Sequence, residues 1–245
     1  MIAGVTSFMA DKLAGLRAEL KRAADVKKAK VLQRFFRTGK GEYGEGDIFY
    51  GITVPKTRAI AKKYSSLRPG EVKELLRSKM HEGRLCALLI LVHKFNAGND
   101  KEKKRIFDFY IKNSSRANNW DLVDLSADKI AGKYLLGKKS GRKILYRFAR
   151  SKNLWQRRIA IISTFAFIKI GQYDDTLRIA KMLLTDSHEL IYKAAGWMLR
   201  EVGKRNPEAE EKFLKKHHAK MPRTMLRYAI EKLPQEKKEF YMKRR

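Results

Sequence analysis

The run Ser151-Lys152-Asn153-Leu154-Trp155-Gln156-Arg157-Arg158-Ile159-Ala160-Ile161-Ile162 decides the fold class. The polar triplet at its start breaks the preceding pattern. A helical segment then runs over about 154–170, until Gly171 breaks it again. Trp155, Arg158, Ile162 and Phe165 fall on one face at helical spacing, within a segment that is otherwise almost wholly apolar.

The same alternation of break and amphipathic helix extends outward in both directions. Toward the C-terminus it predicts helices over about 174–184, 187–203, 207–218, 222–232 and 235–243, with a break at Asn206-Pro207. Toward the N-terminus it predicts 140–151, 126–136, 118–125, 100–113, 82–96 and 70–79. A glycine cluster (Gly39, Gly41, Gly44, Gly46) separates these from two further helices within 8–37, and periodicity resumes after Val54-Pro55. No alternating strand signal of useful length appears. Helix pairs recur about every 35–45 residues, in the range of HEAT-like repeats. The expectation is an all-α, HEAT-like helical repeat solenoid. It should be curved, with a concave basic cleft, and form a single domain over 1–245.

Charge narrows the partners. The 245 residues include 56 Lys or Arg against 26 Asp or Glu, a net charge of +30. Such an excess makes nucleic acid the leading partner, ahead of anionic membranes and acidic proteins. No apolar run approaches the roughly 18 residues of a membrane span, and the first residues lack a secretory apolar region. A monomer without membrane attachment, soluble inside the cell, is expected. The one cysteine, Cys86, sits in an apolar run and reads as a small buried hydrophobe. No Cys/His spacing suits zinc, and His217-His218 beside Lys215-Lys216 reads as a basic helix end, so no metal or cofactor is expected. The glycine-rich stretch Gly39 to Gly51 lacks the spacing of a phosphate-binding loop.

Three constellations could carry chemistry. In Asn118-Asn119-Trp120-Asp121-Leu122-Val123-Asp124, Trp120 and Asp124 lie at i and i+4 on one helical face. From Lys129 to Arg158 eleven Lys or Arg follow with no acid, so Asp124 borders a strongly positive field that should keep it ionised. Arg158 reads either as an arginine whose stem packs while its head meets solvent, or as a guanidinium held to fork a phosphate or meet Asp124. The second is preferred, because its face otherwise carries no charge. Lys193, Trp197 and Arg200 share a face, with Ala194, Ala195 and Gly196 permitting close helix approach. Trp197 reads equally as core or as a stacking surface between basic neighbours.

Five phrases then occur in order across 43–231. They are Tyr43-Gly44-Glu45-Gly46-Asp47 with Gly51-Ile52-Thr53-Val54-Pro55, Asn119 to Asp124, Trp155-Gln156-Arg157-Arg158, Gly196-Trp197-Met198-Leu199-Arg200, and Pro222-Arg223-Thr224-Met225-Leu226-Arg227-Tyr228-Ala229. On these the chain resembles the HEAT-like repeat alkylpurine DNA glycosylases, the AlkD-type DNA alkylation repair enzymes. The resemblance implies excision of N3- and N7-alkylated purines from duplex DNA, without a base-specific flipping pocket. It maps the catalytic aspartate onto Asp124, the two cleft tryptophans onto Trp120 and Trp197, and the cleft arginine onto Arg158. Arg157, Lys193, Arg200, Arg223 and Arg227 are expected to contact DNA. The first 40 residues match less well, so no role is carried over to Phe35, Phe36 or Tyr43.

That chemistry suits these residues. An alkylated purine cation is already a good leaving group. One carboxylate could stabilise the positive charge developing on the sugar and place a water. The alternatives are a non-catalytic helical-repeat module that binds nucleic acid and a scaffold for acidic proteins. The first does not explain an acid in a basic cleft, and the second gives the tryptophans no particular role.

Overall fold

The computed structural model describes residues 3–243, with side chains from Lys12 onward. Met1 and Ile2, part of the stretch read for a secretory signal, lie outside the described residues. Among the described residues the chain is all-α, with one isolated bridge, Ile48 to Met80, and no strand. Among the described residues no helix is long and apolar enough to cross a membrane. The chain groups into two compact units, 1–126 and 127–245.

The first unit comprises α1 (Ala3–Arg22), α2 (Val26–Phe35), α3 (Val54–Lys63), α4 (Pro69–Leu75), α5 (His81–Ala97), α6 (Asp100–Lys112) and α7 (Trp120–Asp124). Helix α5 is its axis: α3, α4, α6 and α7 all pack on it, and every residue from His81 to Val92 is buried. Cys86 belongs to that buried run, where burial pushes its thiol up to about 12. Asn99 and Glu102 cap α6 reciprocally: Glu102 N donates to Asn99 Oδ1 at 3.0 Å and Asn99 N to Glu102 Oε2 at 2.8 Å.

The second unit opens on a π-helical turn, Asp128–Gly132, continued by α8 (Lys133–Leu135). It goes on through α9 (Lys143–Ala149), α10 (Leu154–Ser163), α11 (Phe165–Ile168), α12 (Asp174–Met182), α13 (Glu189–Gly203), α14 (Pro207–His217), α15 (Arg223–Ala229) and α16 (Gln235–Met242). Helices pack on near neighbours in the chain, α9 on α10, α10 on α13, and α13 on α14 and α15, as in a helical repeat. The helix expected over 154–170 is divided at Thr164. Ser163 Oγ donates to Ile159 O at 2.6 Å and Thr164 Oγ1 to Ile161 O at 2.7 Å; such back-bonding competes with the helical ladder and bends it. Asn153 Oδ1 starts α10 by accepting from Trp155 N and Gln156 N.

Candidate functional site

In the first unit the site is built from the N-terminus of α5. His81 is 2 % exposed and touches two carboxylates: Nδ1 lies 3.1 Å from Asp47 Oδ2, and Nε2 lies 2.8 Å from Asp121 Oδ2. Only the imidazolium can donate from both ring nitrogens at once. Burial pulls its pKa down, but the hydrogen-bonded Asp121 and Asp47 outweigh that and push it up to about 9. Burial raises the Asp47 carboxyl, but His81, Arg84 and Asn119 more than offset this and hold it below its usual range. Arg84 Nη2 donates to Asp47 Oδ1 at 2.5 Å. With two carboxylates, one imidazolium and one guanidinium, the cluster is neutral and hydrogen-bonded, which makes its burial tolerable.

The cluster holds α7. Asn119 Nδ2 donates to Asp47 Oδ2 at 3.0 Å, while Asn119 Oδ1 accepts from Trp120 N at 2.8 Å and caps the helix. Next along α5, Glu82 is 1 % exposed and accepts from the backbone N–H groups of Tyr50, Gly51 and Ile52 at 2.8–3.0 Å. Gly51 has φ +84°, and a Cβ there would meet Asp25 O at 2.2 Å and Ala29 N at 2.7 Å. This close approach seats the start of α2, where Asp25 caps by accepting from Lys28 N.

Helices α2 and α7 thus become walls of one cavity of about 480 Å³. Val31, Leu32, Phe35 and Phe36 line one side, Trp120 and Asp124 another. A column of rings backs it: Phe49 stacks on His81 at 4.5 Å, Phe36 on Phe49 at 5.0 Å, and Trp120 on Phe36 at 5.2 Å and 15°. Phe35 meets Trp120 edge-on at 6.0 Å and is 62 % exposed, so the aromatic wall faces solvent. Trp120 and Asp124, paired by helical spacing, do lie on one cavity, and both are half-buried.

In the second unit the expected residues fall on α10, α13 and α15. Arg158 is only 5 % exposed and donates from Nη1 to Leu190 O at 2.5 Å, so its head does not simply reach solvent. Arg157 forks Asp186, Nε to Oδ2 at 2.6 Å and Nη2 to Oδ1 at 3.3 Å, and its Nη1 donates to the carbonyls of Ser151 and Lys152. Its donors therefore serve packing within the unit. Trp197 is half-buried beside Phe165, ring centroids 6.0 Å apart. Lys193 pairs with Glu189 at 2.9 Å, and Arg200 with Glu231. Gly196 does permit close approach: a Cβ there would meet Met225 O at 2.4 Å and Tyr228 Cβ at 2.6 Å on α15. Arg223 and Arg227 on α15 are exposed, and Arg223 Nη1 donates to Met242 O at 2.8 Å.

Sequence reasoning gave no role to Phe35, Phe36, Asp47, His81, Glu82 or Asp121. One signal was available. His81 and Glu82 lead a run that is apolar from Leu85 to Val92, and ionisable groups heading a buried helix require partners. Among the described residues no cluster of three or more His, Cys, Asp or Glu could hold a metal ion.

No curated protein sequence matches the chain significantly. Among solved structures the chain is similar to one described as a predicted DNA alkylation repair enzyme from Enterococcus faecalis. The identity is 18 %, with 86 % of this chain and 97 % of that chain covered, and the TM-score is 0.67, a likeness of fold. A family model described as DNA alkylation repair enzyme matches residues 16–233, most of the chain, and the chain belongs to that family.

Proposed function

We propose that the protein is a DNA glycosylase that excises cationic N3- and N7-alkylated purines from duplex DNA. A role in the repair of alkylated DNA comes with the family; the reaction and the lesion class are our reading. It rests chiefly on one observation: Trp120 and the Asp124 carboxylate border the same aromatic-walled cavity. An indole face attracts a cationic nucleoside, by roughly 0.5–2 kcal/mol. As the C1′–N bond breaks, its electron pair leaves with the purine and cancels the purine's charge. Positive charge then grows on the sugar, where Asp124 stabilises it electrostatically. Water adds at C1′ and gives up a proton, leaving the free base and an abasic sugar. In the second unit we assign Arg158 to a phosphate contact that fixes register, Trp197 to an aromatic face, and Lys193, Arg200, Arg223 and Arg227 to DNA contact.

The test is Asp124→Asn. The amide keeps the shape and removes the charge, so single-turnover excision of N7-methylguanine should fall about 100-fold or more. Affinity for undamaged duplex should hold or rise, because a repulsive charge near phosphate is gone. An Asn variant as fast as wild type sinks the mechanism. Wild-type protein that binds duplex but excises no cationic purine favours a binding module instead.

A further inference from the structure

Helix α7 has five residues, far short of the roughly 12–15 at which an isolated helix becomes even marginally stable. Its geometry must be imposed from outside, and the buried cluster reaches it at two adjacent points. Asp47 holds Asn119, the residue that caps α7. His81 holds Asp121, the second residue of α7, whose other oxygen accepts from Leu122 N at 2.8 Å. Asp124 lies one turn further on, and the ring column His81–Phe49–Phe36–Trp120 fixes the other cavity-facing residue of α7 by a second route.

We propose that His81 is a positioning residue for base excision: by bridging Asp47 and Asp121 it sets the orientation of α7, and with it where the Asp124 carboxylate and the Trp120 ring stand in the cavity. His81 itself is buried and acts through Asp124 and Trp120. The proposal rests on the reading of Asp124 as the group that stabilises the sugar. Electrostatic stabilisation and orientation both depend steeply on placement, and a misplacement of about 1 Å can cost on the order of 100-fold. A side chain that only fills the core would not have this leverage.

The experiment is a double-mutant cycle of His81→Gln with Asp124→Asn. Single-turnover excision of N7-methylguanine, affinity for undamaged duplex and the thermal midpoint are measured on all four proteins. Glutamine presents its NH2 to one side and its carbonyl oxygen to the other, so it cannot donate to both flanking carboxylates as an imidazolium does. The expected result is a rate loss of about 10- to 100-fold in His81→Gln, with duplex affinity within about 2-fold of wild type. In the Asp124→Asn background the same substitution should cost much less, because only the Trp120 ring is left for it to position. A His81→Gln rate equal to wild type overturns the proposal, and so does a loss that is fully additive with Asp124→Asn. Should His81→Gln fail to fold, Asp121→Asn enters the same cycle under the same criteria. The two readings fail separately. A wild-type protein without excision, or an Asp124→Asn variant at full rate, removes the glycosylase mechanism; additivity with both of those intact removes only the role of His81.

Discussion

Trp120 and Trp197 stand in neighbourhoods organised by different forces. Around Trp120, position is set by charge: Asp47, His81, Asp121, Arg84 and Asn119 bond to one another out of water and clamp a helix too short to hold itself. Around Trp197, position is set by volume. Gly196 lets α13 and α15 approach until backbone and side chain leave no room for a methyl, while the nearby cations are paired at the edges with Glu189 and Glu231. The first region should answer to pH and to the loss of a proton. The second should answer to the addition of a carbon.

The largest expected effect tests the charge side. His81 binds its proton more tightly in the folded state than in the unfolded one. Its contribution is therefore whole below about pH 6.5 and is lost as pH climbs through about 9. The contribution is roughly 2–4 kcal/mol. Urea-unfolding free energies of wild type should fall across that interval, and those of His81→Gln should fall much less. A flat wild-type profile there means that the ring is not an imidazolium. The second unit complicates the contrast at one place. Burial pushes the Glu210 carboxyl up to about 7, and its Oε1 has no hydrogen-bond partner. Its folded state favours the neutral acid, so this second decline begins near pH 4.5 and is complete just above 7. Glu210→Gln should erase that lower step and leave the upper one.

Next in size is the volume side. Gly196→Ala should cost about 1–3 kcal/mol, because its Cβ meets a backbone carbonyl that cannot swing away. The loss should be the same at pH 6 and pH 9. A pH-dependent loss would show that charge also governs this region. The smallest effect concerns Arg227, exposed on α15. If it contacts a phosphate, Arg227→Ala should flatten the plot of log affinity against log salt by roughly 0.9. An unchanged slope removes it from the interface.

The helices were legible because their ends are written locally. Asn99, Asn153 and Asn206-Pro207 announce starts that the structure confirms within a residue or two. The division of 154–170 was not legible, since Ser163 and Thr164 look harmless until their hydroxyls turn back on the helix. The pairing of Trp120 with Asp124 follows from a spacing of four within a single helix. The pairing of His81 with Asp47 and Asp121 crosses 34 and 40 positions, and that of Asp47 with Asn119 crosses 72. No periodicity carries such information. Phe35 and Phe36 are hidden from the sequence for a related reason: their value lies in α2 being seated by Gly51 and Glu82, a contact between separate segments.

Cys86 gives the fold a chemical consequence of its own. Thiolates are the softest nucleophiles a protein offers, and the electrophiles that alkylate purines attack them as well. Here the one thiol of the chain lies wholly inside α5 with its pKa near 12. At pH 7 burial holds it in the unreactive thiol form, even if reagent reached it. A repair protein must work in the presence of the agent that makes its substrate, and burying its sole sulfhydryl in the axis of the first unit leaves that agent no thiolate to consume.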